Sequence, residues 1–196
     1  HHIVMMILSL LIIAILSRNF EIDFNFKLGD VKKGTKILAV FTAVYALISI
    51  ILHIGMLANN QLPVYDFPLN GRNIIGTLSF QLLLTGTAEE IVYRALPIPI
   101  LIHAFGKSVS IYEDITLEVV LAAVLFSFAH VKLTLIPFDM EANYYQLLYS
   151  FMMGMIQGIV YQKTKSVLYP MLMHSFSNVL SVGTGYFFIL VVTKII

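Results

Sequence analysis

Residues 36–58 read KILAVFTAVYALISIILHIGMLA, and this run decides the fold. Beyond Lys36 it contains no Asp, Glu, Lys or Arg. A bilayer's hydrocarbon core is about 30 Å thick, and a helix of about 20 apolar residues crosses it. Backbone N–H and C=O groups find no water there, so such a run has to be helical. Working outward, comparable runs occupy Ile3–Ser17, Ile74–Phe105, Leu117–Ile136, Tyr144–Gln162 and Leu168–Val192. The third of the six runs in chain order is long, and Pro97 and Pro99 should break or tilt it. The expected architecture is all-α, a multi-pass transmembrane helical bundle of about six membrane helices, with residues 1–196 as one membrane domain. Residues ahead of His1 would add to that count.

Composition points the same way. The chain is 59% hydrophobic and 12% charged, with a mean hydropathy of +0.88. Soluble domains carry about a quarter charged residues. A formal net charge of +1 lacks the clustered basic face that nucleic acid requires. No cysteine is present, which removes disulfides, thiol nucleophiles and thiolate metal sites. His1 and His2 fit the remnant of a purification tag. The run after them competes with a signal peptide, but no small-x-small cleavage site follows, so it reads as a first membrane helix. Cytoplasmic loops are enriched in Lys and Arg. Arg18, Lys27, Lys32, Lys33, Lys36, Lys107, Lys163 and Lys165 fall, by alternation, on one side, against Arg72, Lys132 and Lys194 on the other. The first, third and fifth loops are therefore expected in the cytoplasm of a cell-membrane protein. Gly154 and Gly158, four apart, suit close helix packing, and the neighbouring methionines read as packing filler.

Ionisable residues inside a membrane helix cost about 2.5–3.5 kcal/mol each on insertion scales. The third run nevertheless contains Glu89-Glu90-Ile91-Val92-Tyr93-Arg94. Glu90 and Arg94, four apart, share a helix face and can pair. Glu89 lies about 100° further round and lacks that partner. The fourth run presents Phe126 and His130 at four-residue spacing, and the sixth presents His174 and Asn178 likewise, which aims each pair one way. His53 and His103 read as lone packing histidines. At 1.5 Å rise per residue, His130 lies about 20 Å from the cytoplasmic end of its helix, His174 roughly 9 Å, Asn178 roughly 15 Å and Glu89 about 12–24 Å. All four fall in one layer.

These motifs together resemble those of the CPBP family of intramembrane proteases, which includes the type II CAAX prenyl endopeptidases. That family's pattern is Glu-Glu-x-x-x-Arg, Phe-x-x-x-His and His-x-x-x-Asn or Asp. Here it appears in order as Glu89-Glu90-x-x-x-Arg94, Phe126-x-x-x-His130 and His174-x-x-x-Asn178. The resemblance spans Leu78 to Leu180, so residues 78–180 are the expected catalytic core. It departs at Ala95, where the family often has glycine.

The resemblance implies an endopeptidase. Glu89 would be the general base on a water that His130 orients, and His174 and Asn178 would donate to the oxyanion. Glu90, Arg94 and Phe126 would support the site. The expectation is that no cofactor is required, although Glu89, His130 and His174 could ligate zinc with water in the fourth position. The chain has no His-Glu-x-x-His helix. Expected partners are the lipid bilayer and a peptide or membrane-protein substrate, with a prenylated C-terminus as one form and no nucleic acid. Two rival readings are a non-catalytic scaffold or bacteriocin-immunity protein of the same fold, and a small transporter using Glu and His as a relay. The halves of the chain show no repeat of transporter type.

Overall fold

A computed structural model describes residues 1–195, and side chains through Val192. It is an all-helical bundle with two small hairpins. Helix α1 spans His2–Phe20 and α2 Val31–Ala58; α3 (Gly71–Phe80), α4 (Gly86–Glu90) and α5 (Pro97–Phe105) follow as one interrupted rod. Strands β1 (Ser110–Tyr112) and β2 (Ile115–Thr116) precede α6 (Leu117–Phe128). Strands β3 (Lys132–Leu135) and β4 (Phe138–Glu141) then lead into α7 (Tyr144–Thr164) and α8 (Leu168–Ile195).

The helix starts follow from side chains that accept otherwise orphaned N–H groups. Asp30 caps α2 through Lys33 N, Asn70 caps α3 through Asn73 N, Thr116 caps α6 through Val119 N and Asn143 caps α7 through Gln146 N. Pro97 opens α5, where its missing N–H costs nothing. Helix α7 ends on Lys165 in the left-handed region, with φ 52°.

Three helices among the described residues are long and apolar enough to cross a membrane: His2–Phe20, Val31–Ala58 and Leu168–Val192. Leu11, Val40, Leu47 and Ile51 are all more than half exposed on the outside of α1 and α2. So apolar an exterior on two long helices calls for lipid rather than water, and this is a membrane protein.

Two expectations need correction. The run at Leu117–Ile136 is not one helix: α6 stops at Phe128, the chain turns, and β3 pairs with β4 from Lys132↔Glu141 to Leu135↔Phe138. The interruption of the third run also lies earlier than Pro97 alone would put it. Two π-helical turns, Gln81–Thr85 and Ile91–Ala95, bracket α4 on either side of Glu89 and Glu90. Wide turns of this kind inside α-helices often occur at functional sites.

The first, third and fifth loops gather at one end of the bundle. Asp30 N donates to Thr164 O at 2.8 Å, Val167 N donates to Asn25 O at 3.1 Å, and Tyr161 Oη donates to Phe24 O at 3.1 Å. Lys163 pairs with Asp114 of the β1–β2 hairpin. Gly29, with φ 59°, presses on the backbone of Thr164 and Lys165, where a side chain would collide. At the other end, Tyr65 Oη donates to Val182 O at 3.4 Å.

Glycines also set the helix spacing. A Cβ on Gly154 would meet Ala123, and one on Gly158 would meet Val119 Cγ1 at 2.9 Å, so the small-residue pair seats α7 against α6 as its spacing predicts.

Candidate active site

Gly86 brings the central rod onto α8. A Cβ there would lie 2.8 Å from Ser175 N and 3.0 Å from Met171 O, so only glycine permits this approach. It carries Glu90 to His174, whose Nδ1–H donates to Glu90 Oε1 at 2.7 Å. Arg94 Nη1 stands 3.0 Å from the same oxygen, and neither Glu90 nor Arg94 has any exposed surface. The pair is coulombic rather than a well-aligned hydrogen bond, since Arg94 Nε and Nη1 and Glu90 Oε2 lack an aligned partner among the described residues. Arg94 Nη2 donates to Gln157 Oε1 of α7 at 2.7 Å. Its guanidinium carbon lies 4.1 Å from the Phe126 ring centre, a cation–π contact. The Glu90–Arg94 pairing read from the sequence is therefore present, extended by Gln157 and His174.

Phe126 is the hub between motifs. Its ring meets His130 edge-on at 4.9 Å and His174 at 5.8 Å, and its carbonyl accepts from His130 Nδ1–H at 2.9 Å. A carbonyl can only accept, so His130 carries its proton on Nδ1, and neutral His130 keeps a lone pair on Nε2. His130 lies just past the last turn of α6 rather than within a helix.

His130, His174 and Asn178 line one cavity of about 70 Å³ with Phe126, Tyr149, Ser150, Met153, Gln157 and Ser177. Asn178 Nδ2 donates to Gln81 Oε1, in the first π-helical turn, at 2.9 Å. Glu89 is not part of that lining. It stands on the α1 side of His174, with Oε2 3.7 Å from His174 Nε2, and its Oε1 accepts from His2 Nε2 at 3.0 Å. Glu89 is thus not the partnerless carboxylate its spacing implies. His2 also packs edge-on against Phe80.

Sequence reasoning missed His2, Gln81 and Gln157. Gln157 had a usable signal, because a buried amide in an apolar helix must find a partner. His2 and Gln81 had none. Among the described residues no group of three or more His, Asp and Glu side chains is placed to hold a metal ion. His130 and His174 each commit Nδ1 to an oxygen acceptor, which leaves Nε2 of both rings available, and Glu89 stands outside their cavity. The carboxylate of the three-ligand zinc set thus stands apart from the cavity that the two histidines share.

A family model described as type II CAAX prenyl endopeptidase Rce1-like matches residues 71–180, more than half of the 196. No curated protein and no solved structure matches the chain. The matched region starts at the first residue of α3 and ends within α8, enclosing α4, α6, α7 and all three motifs.

Proposed function

Because the chain belongs to the Rce1-like type II CAAX prenyl endopeptidase family, a family of proteases, we propose that it hydrolyses a peptide bond within the bilayer, using Glu89, His130, His174 and Asn178. The observation that supports this most directly is the cavity that His130, His174 and Asn178 line together, with Glu89 against His174 on its far side.

In this reading a water is the nucleophile, because an amide needs one and the chain has no cysteine or serine elbow. The Ser150 and Ser177 hydroxyls in the cavity each donate to a backbone carbonyl. The free Nε2 of His130 accepts a hydrogen bond from the water and orients the oxygen lone pair toward the substrate carbonyl carbon. Glu89 takes the proton released as the water oxygen bonds that carbon, then returns it to the amine as the C–N bond breaks. Apo geometry in such sites is often loose and tightens on substrate, so Glu89 must rotate from His2 toward the cavity. Asn178 Nδ2 donates to the developing oxyanion. His174 can join it only when Nε2 also carries a proton, a form flanked by Glu89 and Glu90. One such donor contributes about 3–4 kcal/mol. Glu90, Arg94 and Gln157 hold the His174 ring in place.

We place this site in the cytoplasmic half of a multi-pass cell-membrane protein of about six spans, from the loop charges. A peptide ending in a lipid-modified, prenylated C-terminus is the substrate form we favour. The mechanism needs no metal.

The test is cleavage of a farnesylated reporter peptide by protein in vesicles. Glu89→Ala and His130→Ala should each lower turnover by about 10²–10⁴-fold, the usual weight of general acid–base groups. Wild-type turnover should survive a strong chelator. Full activity in Glu89→Ala would overturn the role of Glu89. Loss on chelation with recovery on zinc would overturn the metal-free mechanism.

A further inference from the structure

The catalytic cavity is too small for the work assigned to it. Its volume of about 70 Å³ holds roughly two waters at about 30 Å³ each, whereas ligand pockets measure roughly 300–1,000 Å³. A substrate can enter only if a wall moves. Phe126, Ser150, Met153, Gln157, His174 and Ser177 are all 9% exposed or less, held in the packed interior. Tyr149 is the most exposed lining residue, at 50%, and forms the outward wall, with His130 and Asn178 half-buried. Its hydroxyl is tied to that of Tyr45 at 2.7 Å, and among the described residues this is the one side-chain hydrogen bond joining α2 to α7.

Beyond this pair lie two larger spaces, and Tyr45 and Tyr149 line both. One is a groove of about 830 Å³ between α2 and α7. The other is a chamber of about 330 Å³ beside Pro63 and Tyr65. Tyr149 lines all three spaces, Met153 lines both the groove and the catalytic cavity, and Tyr45 holds the Tyr149 hydroxyl from the outer side. The groove's walls are apolar, as at Ile37, Val40, Phe41 and Ile156, and Lys33 and Lys36 stand at its mouth. An extended peptide there would leave a donor and an acceptor unmet at every residue. A hydrocarbon chain leaves none, and the lysines complement an anionic group beside it.

We propose that Tyr45 and Tyr149 form a lateral gate that admits the hydrocarbon-bearing end of the substrate from the bilayer into the catalytic cavity. The proposal rests on the endopeptidase reading above. It adds two access-determining residues and a direction of approach. Parting the pair removes one neutral hydrogen bond, whose net weight shifts the closed-to-open balance roughly 2- to 12-fold.

The experiment uses the full chain in phosphatidylcholine vesicles and a farnesylated tetrapeptide bearing a diazirine in its chain. Photolabelling of the cavity is read by peptide mapping at Phe126 and Gln157, which line the cavity and not the groove, and cleavage is followed in parallel. Tyr149→Phe keeps the ring and should raise labelling about 2- to 12-fold. Because the chain has no cysteine, Tyr45→Cys with Tyr149→Cys can be joined uniquely by a short bismaleimide. The joined protein should show at least tenfold less labelling and cleavage than the same protein unjoined. Labelling should persist in Glu89→Ala, so a failure of the catalytic reading leaves this readout standing. Equal labelling and cleavage in joined and unjoined protein would overturn the gate. So would equal labelling of the same positions by a diazirine lipid without peptide, which would make the cavity open to bilayer lipid whatever the state of the tyrosine pair.

Discussion

Glu90 is the residue on which the interior turns. It carries a carboxylate with no exposed surface, against a guanidinium with none, and also orients His174. Truncating one partner of a buried pair leaves an uncompensated charge and costs about 3–5 kcal/mol. Glu90→Ala should therefore unfold at markedly lower temperature in detergent, while Glu90→Gln, which can still accept from His174 Nδ1–H, should lose less. Equal melting of Glu90→Ala and wild type would show that the pair contributes little. The i,i+4 spacing made Glu90 and Arg94 readable in advance, since helical period alone puts them on one face. The contact from His2 to Glu89 spans 87 positions and leaves no local trace. Periodicity therefore left Glu89 without a partner.

At the scale of elements, Gly86 decides how closely the central rod meets α8. Gly86→Ala would drive a methyl group into the backbone of Met171 and Ser175, where neither atom can swing away. Overpacking of this kind costs about 1–3 kcal/mol. The helices would also part, lengthening the 2.7 Å bond from His174 to Glu90, so reporter cleavage should fall further than stability. Gly76→Ala is the control: nothing lies within 4 Å of its added methyl, and it should melt at or above wild type. Equal behaviour of the two variants would remove the close-approach role of Gly86. The helical elements were legible because long apolar runs and capping residues mark them. The π-helical turns were not, since an i→i+5 hydrogen bond has no residue signature. The hairpin at 132–141 was misread because a short apolar run such as Leu133–Ile136 suits helix and strand alike.

That misreading matters most at the scale of the whole molecule, because the proposed six-span count depends on it. Helix α6 has 12 residues and covers about 18 Å, short of the hydrocarbon core of about 30 Å. The remaining depth falls to the β3–β4 hairpin, whose Leu135, Ile136 and Phe138 are at least three-quarters exposed. Apolar side chains suit lipid, but the outer edges of a two-stranded sheet carry unpaired backbone groups that hydrocarbon cannot satisfy. The hairpin tip must therefore reach the headgroup layer on the face opposite the first, third and fifth loops. With no native cysteine, single substitutions report this cleanly. Ser110→Cys should react with an impermeant maleimide only from the cytoplasmic face of oriented vesicles. Gln61→Cys and Asp139→Cys should react only from the other face. Labelling of Ser110→Cys and Asp139→Cys from one face would mean that α6 turns back within the bilayer. The fourth span would then be lost, and α7 would have to run along the membrane rather than through it.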